Sequence, residues 1–120
     1  MLHLSTTCRY FYYNGLADMR KGAYSLSGLV RNEMNQDVLS GDVFIFIGKR
    51  ANKIKLLQWD TDGFALYEKR LERGSFERPV NDNSHTHCSI TAQQLQYILQ
   101  GVVLKSVQHR KRFSISATTV

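Results

Sequence analysis

The chain has 120 residues, 42% of them hydrophobic and 22% charged, which is typical of one globular domain and excludes fibrous and disordered classes. No apolar run approaches the roughly 18 residues that a membrane-spanning helix needs. Residues 1–13 lack the basic and then apolar pattern of a signal peptide. We therefore expect a cytoplasmic protein that has no membrane partner.

The charge balance is basic, with 16 Lys and Arg residues and a formal net charge of +6 at pH 7. Such a balance favours polyanionic partners, chiefly nucleic acid. Residues 105–120 contain cations and no acidic residue, so we predict a single domain over residues 1–104 and a basic, flexible tail over residues 105–120. Cys8 and Cys88 are expected to be reduced thiols, because disulfides are rare in cytoplasmic chains.

The first part of the chain predicts a strand and then a helix. Residues 9–13 are rich in aromatic side chains, which favours a strand, and Asn14 and Gly15 end it. Between residues 23 and 34 the apolar side chains recur at helical spacing. These side chains are Leu26, Leu29, Val30 and Met34.

Three strand-like runs follow, and they predict a meander of antiparallel strands. The runs cover residues 43–47, 53–59 and 64–71. The second run partly alternates, with Lys53 and Lys55 on one face, but Leu57 falls on the same face as the lysines. Residues 60–63 end in Asp-Gly and are typical of the turn that closes a hairpin.

The last part predicts an irregular segment over residues 79–89 and then a second helix. Thr91 and Gln94 have the spacing of a capping box, and Gly101 marks the helix end. The apolar stripe of this helix is Leu95, Ile98, Leu99 and Val102. The element order predicts an α+β fold: a small antiparallel sheet in the order β-α-β-β-β-α, with the helices packed against it.

Nine cations form the candidate nucleic-acid-binding set. They are Arg20, Lys21, Lys49, Arg50, Lys53, Lys55, Lys69, Arg70 and Arg73. The first two precede the first helix, where they either hold a phosphate or belong to a solvated turn in which Asp18 caps the helix or pairs with the adjacent arginine. If the others converge on one sheet face, they form a positive surface interleaved with Trp59 and Tyr67, which suits phosphate contacts and base stacking. The alternative is a solvated face balanced by acidic neighbours, with Trp59 in the core.

Two metal sites are weaker interpretations. A two-metal nuclease needs converging carboxylates, and the turn over residues 60–63 already explains two of the candidates. The candidates are Asp18, Asp60, Asp62 and Glu68. The run HTHC over residues 85–88 contains zinc-ligand residue types, but a four-ligand site would need a partner from His3, Cys8 or His109. We therefore expect no catalytic residue, no metal and no cofactor.

Several motifs, taken in order, resemble one family over residues 9–104. They are DMRKG at 18–22, SGDVFIF at 40–46, KIKLLQWD at 53–60, KRLERGSF at 69–76 and the helix over 94–101. The chain is similar to the TnpB-type accessory protein, the second open reading frame product, of the IS-sixty-six family of insertion sequences. Besides the cations, the family-motif positions are Asp18, Gly22, Trp59, Asp60, Gly63 and Gly74. Many members have an aromatic residue just before the proline, where this chain has Arg78.

The resemblance implies a non-enzymatic accessory role in DNA transposition beside a larger transposase. Our leading hypothesis is a DNA-binding subunit at the transposon ends, in which the nine cations contact phosphates and the basic tail adds affinity. The alternative is a protein-interaction module that docks on the transposase or another accessory protein through the first helix and the aromatic strand.

Overall fold

The computed structural model describes residues 4–79 and 85–101 of the chain, which form five strands and two helices. In chain order these are β1 (Tyr10–Tyr13), α1 (Ala23–Asn32), β2 (Val43–Ile47), β3 (Lys53–Asp60), β4 (Gly63–Arg70), β5 (His87–Ile90) and α2 (Ala92–Gln100). Neither helix in these residues is long and apolar enough to cross a membrane. The expected tail over residues 105–120, its boundary and Val102 lie outside the described residues.

The α+β class is confirmed, but the sheet differs from the expected one in two details. Its strand order is β4-β3-β2-β1-β5. β1 and β2 are parallel, because α1 crosses between them, whereas all other pairs are antiparallel. β5 lies in the segment expected to be irregular, where it pairs with β1 from Tyr10 opposite Ile90 to Tyr13 opposite His87. The sheet is therefore mixed and has one more strand than predicted.

The two helices begin differently. α2 has the predicted capping box: the Gln94 N–H donates to Thr91 Oγ1 at 3.0 Å, and the Thr91 N–H donates to Gln94 Oε1 at 2.8 Å. It ends at Gly101, whose φ of +83° is the left-handed conformation that favours glycine. α1 begins after Gly22 without a side-chain cap and ends at Asn32, two residues before the predicted end, although Met34 remains fully buried.

Each face of the sheet is covered by one helix. The α1 face buries Phe11, Phe44, Phe46 and Leu57 against Leu26, Val30 and Met34. The α2 face buries Tyr10, Tyr12, Ile45, Ile47, Ile54 and Leu56 against Leu95, Ile98 and Leu99. This arrangement explains the continuous apolar run of β2, in which every residue is buried. It also explains Leu57, because the lysine face of β3 is the face that α1 covers.

Asp42 joins the start of β1 to the start of β2. Its side chain, 9% exposed, accepts hydrogen bonds from the Arg9 backbone N–H at 2.9 Å, the Arg9 guanidinium at 2.9 Å and the Ser40 hydroxyl at 3.0 Å. Burial alone would raise the pKa of Asp42, but these donors outweigh it and hold the pKa below its ordinary value. The carboxylate therefore stabilises the parallel β1–β2 pairing most strongly when it is ionised.

The substitution Asp42→Asn should lower the free energy of unfolding at pH 7 by about 1–3 kcal/mol. The Arg9 guanidinium and the Ser40 hydroxyl, which donate to one carboxylate oxygen, would then face the NH₂ group of an amide. The pKa of Asp42 is lowered on folding, so its stabilisation is complete above the unfolded-state pKa and is lost as the pH falls through the folded-state pKa. The difference in free energy of unfolding between variant and wild type, measured with urea, should therefore shrink below about pH 4. The control is Asp37→Asn, whose side chain accepts from the Leu39 N–H, a bond that asparagine also accepts. Equal stability of Asp42→Asn and wild type at pH 7 would contradict this role.

Candidate nucleic-acid interface

Several of the predicted cations converge at one end of the sheet. There β2 ends, β3 begins and β4 ends, and the loop between β1 and α1 runs beside them. These segments surround an open depression of about 710 Å³, which we call the cationic groove. Its charged lining residues are Asp18, Arg20, Lys49, Arg50, Lys53 and Arg70. Five cations and one carboxylate thus share this surface.

Arg20 and Asp18 form a local ion pair at the rim of the groove. The guanidinium donates to both carboxylate oxygens, at 3.0 and 2.8 Å, and the Arg20 backbone N–H donates at 2.9 Å. The hydrogen bonds from Arg20 lower the pKa of Asp18 far below its ordinary value. The Arg20 side chain is 90% exposed. Its charge is partly balanced by Asp18, yet its outer face is open to a phosphate.

Lys55 lies beneath the groove and is only 5% exposed. Its ammonium group donates to the Lys21 carbonyl at 2.7 Å and lies 3.3 Å from a carboxylate oxygen of Glu68. Lys53 pairs with the other Glu68 oxygen at 3.2 Å. Partial desolvation would raise the pKa of Glu68, but the two ammonium groups lower it below its ordinary value. Lys55 thus ties the β1–α1 loop to the sheet, and its burial gives no support to the predicted phosphate contact.

Three groove cations have no acidic partner among the described residues. Lys49 and Arg50 are exposed in the turn between β2 and β3, and Arg70 is exposed at the end of β4. Arg70 lies directly opposite Lys53 in the β3–β4 register. Like charges in such a position repel each other unless an anion lies between them. The excess positive charge of the groove therefore comes from these three side chains.

The remaining predicted cations lie outside the groove. Lys69 is on the α2 face, where it donates to the Leu99 carbonyl at 3.0 Å, at the C-terminal end of α2 that favours a cation. Lys21 is half-buried and contributes the carbonyl that Lys55 binds. Arg73 is exposed in the loop after β4, and a hydrogen bond from the Leu71 N–H to the Asn52 carbonyl, 2.8 Å long, ties that loop to the groove end of the sheet.

The structure does not interleave the aromatic side chains with the cations as predicted. Trp59 lies at the opposite end of β3, edge-on to Phe64 with ring centroids 5.1 Å apart. It lies six residue steps from Lys53, which is about 20 Å along an extended strand. Tyr67 packs on the α2 face, away from the groove lysines. Neither ring can therefore stack on a base in the groove, because Trp59 lies too far from it and Tyr67 lies on the other face of the sheet.

The family-motif positions are mostly structural. Asp60 and Gly63 close the hairpin between β3 and β4, opposite each other in the register, and Gly22 precedes α1. Gly74 has a φ of +80°, which favours glycine in the loop after β4.

Gly48 lines the groove, and a Cβ atom there would lie 2.5 Å from the Met19 side chain. The groove end of the sheet therefore depends on close packing between the β1–α1 loop and the β2–β3 turn.

Arg78 organises this turn, and sequence reasoning did not predict its role. Its guanidinium donates to the Tyr12 hydroxyl at 3.3 Å and to the carbonyls of Ile47, Gly48 and Lys49, which end β2 and begin the turn. The signal that could have indicated a role was the arginine at a position where the family resemblance has an aromatic residue. Arg78 therefore holds the backbone from which Lys49 and Arg50 extend.

The residues proposed for metal binding are not brought together. Within residues 4–79 and 85–101, no three His, Cys, Asp or Glu side chains lie close enough to hold one ion. Asp18 lies at the groove, whereas Asp60 and Asp62 lie at the other end of β3. His87 packs edge-on to Phe11 on the α1 face, and Cys88 packs on the α2 face. The carboxylate arrangement that a two-metal nuclease requires is therefore absent from the described residues.

These features define a small basic α+β domain with a cationic groove at one end of its sheet. A family model described as "IS66 Orf2 like protein" matches residues 8–109, and the chain belongs to this family of accessory proteins of insertion-sequence transposition. The match confirms the resemblance drawn from the motifs.

Two curated proteins of Sinorhizobium fredii are similar to the chain. One, described as "Uncharacterized protein y4hO", is 32% identical over 102 residues, covering 85% of this chain and 87% of its own. The other, "Uncharacterized protein y4jC", is 35% identical over 72 residues, covering 60% and 62%. No solved structure matches the chain significantly.

Replacing Arg78 by methionine should lower the free energy of unfolding by about 2 kcal/mol, because several partly buried acceptors lose a charged donor. Arg78→Lys should recover part of the loss, since one ammonium group cannot reach all four acceptors. Urea unfolding measures the free energy of unfolding of both variants. Arg31→Met, at an exposed cation in the last turn of α1, is the control and should leave stability nearly unchanged. An Arg78→Met variant as stable as this control would show that the contacts contribute nothing.

Proposed function

We propose that this protein is a non-catalytic, DNA-binding accessory subunit for transposition, which binds transposon-end DNA through the cationic groove. Lys49, Arg50 and Arg70 make the central phosphate contacts, and Arg20 and Lys53 flank them. The single observation that supports this proposal most is the convergence of three exposed cations without acidic partners among the described residues. Phosphates are the anions that DNA offers at regular spacing, and they dominate the affinity of basic proteins for it.

The groove suits backbone contact better than base recognition. It is open and lies on a turn and at strand ends, and the described residues that line it include no helix that could enter the major groove. Its long, flexible cations can follow a phosphate backbone, and the basic segment over residues 105–120 would add non-specific affinity. We therefore propose that the protein acts in the cytoplasm together with the element's transposase, which recognises the sequence, while this subunit stabilises the bent or paired ends.

A protein-docking function is the second candidate, and two exposed apolar side chains favour it. Leu16 is 60% exposed in the β1–α1 loop, and Tyr24 is 83% exposed in the first turn of α1. The aromatic strand that we expected to contribute is not available, since Tyr10, Phe11 and Tyr12 are buried. A pull-down with the transposase, repeated after nuclease treatment, separates the candidates. Capture that survives nuclease but is lost in Tyr24→Ala favours docking.

Binding of the protein to a terminal-inverted-repeat duplex should weaken steeply as salt rises. With three to five phosphate contacts, the slope of log K against log salt concentration should be about −3 to −4.5. Fluorescence anisotropy at several salt concentrations measures it, and a scrambled duplex shows how much of the affinity depends on sequence. An affinity that does not change with salt would refute phosphate binding.

The double substitution Lys49→Ala with Arg50→Ala should weaken binding and reduce the magnitude of the salt slope by about 2, because two counterion-releasing contacts are lost. The matched control is Arg31→Ala, which removes an exposed cation of α1 that does not line the groove. A control that weakens binding as much per charge removed would indicate that net charge, and not the groove, determines affinity.

A further inference from the structure

The outer edge of β4 is a second surface, of which the proposed function uses only Arg70 at the end of the strand. β4 is an edge strand of eight residues, whereas the other edge strand, β5, has four. No described residue forms a β-ladder with the outer side of β4. Long, regular edges of this kind present unpaired backbone N–H and C=O groups that pair readily with another strand. Leu66, in the middle of β4, is one of the few exposed large apolar side chains of the described residues.

The side chains of β4 favour one register with a second copy. An antiparallel pair centred on a single residue keeps the α1 faces of both copies on the same side of the joined sheet. A register centred on Glu68 would place two carboxylates opposite each other, and one centred on Ala65 would place Asp62 opposite Glu68. The register centred on Leu66 instead pairs Leu66 with itself and Asp62 with Arg70 of the second copy. Opposite charges facing each other across strands stabilise a pair, and like charges destabilise it.

We infer that two copies of this chain associate through antiparallel pairing of their β4 strands, centred on Leu66, to form one continuous ten-stranded sheet. Asp62 is exposed in the turn before β4, and neither it nor Arg70 has an ion-pair partner among the described residues. Both can therefore form the two symmetric ion pairs that end the interface. In the dimer Arg70 would be paired with Asp62 of the second copy, and Lys49 and Arg50 would remain as the groove cations without an acidic partner among the described residues.

The dimer has a consequence for the arrangement of the grooves. Arg70 and its counterpart in the second copy would be eight residue steps apart along the joined strands, which is about 26 Å. The two cationic grooves would therefore lie at opposite ends of the interface, so that one dimer could hold two separate DNA segments. Only this consequence rests on the proposed function, because the association itself requires no DNA.

Sedimentation equilibrium of the full chain without DNA tests the inference. The wild type should sediment at twice its chain mass of 13.8 kDa at high protein concentration and dissociate on dilution. Asp62→Arg should weaken association at least tenfold, because two pairs of like charges would then face each other. The control Asp60→Arg makes the same charge change at the exposed last residue of β3, on the opposite side of β4 from the interface, and should not weaken association. The double substitution Asp62→Arg with Arg70→Asp should restore the dimer, since the ion pairs are re-formed with reversed polarity.

A wild type that is monomeric at every concentration would overturn the inference, as would equal weakening by Asp60→Arg and Asp62→Arg. A dimer that is unaffected by Asp62→Arg would also overturn it, because the contact would then lie elsewhere. Circular dichroism confirms that each variant is folded. DNA binding is measured separately, so loss of the dimer with intact phosphate binding, or the reverse, distinguishes this inference from the proposed function.

Discussion

The burial of both faces of the sheet is the constraint on which the other features depend. α1 covers one face and α2 covers the other, so every residue of β2 and the first half of β3 after Lys53 lie in the core. A sheet covered in this way can expose charged side chains only at the ends of its strands and along its outer edges. The cationic groove lies at such an end, and the proposed self-association uses such an edge.

Lys55 shows how this constraint shapes the groove. It lies on the covered α1 face, where an unpaired ammonium group would be costly to bury. The carboxylate of Glu68 and the carbonyl of Lys21 satisfy it, and in doing so they hold the β1–α1 loop against β3. Arg78 likewise holds the β2–β3 turn, by donating hydrogen bonds to its backbone carbonyls. The buried Lys55 and the half-buried Arg78 therefore position the two segments whose exposed cations line the groove.

The sequence patterns predicted the local elements well where one physical signal was strong. The run VFIFI predicted β2, the Asp-Gly turn predicted the β3–β4 hairpin, and Thr91 with Gln94 predicted the start of α2. β5 was missed because its four residues, HCSI, contain little apolar alternation and are held mainly by backbone pairing with β1. The parallel pairing of β1 with β2 was missed because it depends on the crossover helix rather than on any residue within the strands.

The candidate site was predictable only in part. The sequence identifies the cations, but which of them line the groove depends on the strand end and the sheet face that each one occupies. The ambiguous position of Leu57 concealed that Lys55 lies on a covered face. Trp59 was predicted as a stacking residue because it follows Lys53 and Lys55 in the same strand, yet it lies at the opposite end of β3 from the groove. The sequence left open whether Asp18 and Glu68 balance the neighbouring cations, and the distances in the structure show that they pair with Arg20 and Lys53.

The most direct test of the groove as the DNA site is an NMR titration of isotope-labelled protein with a duplex of the terminal inverted repeat. Backbone amide shifts should change most at residues 18–20, at residues 48–53 and at Arg70, while those of the exposed face of α1 and the Trp59 end of β3 should change little. Changes concentrated on α1 around Tyr24, with the groove amides unaffected, would contradict binding in the groove.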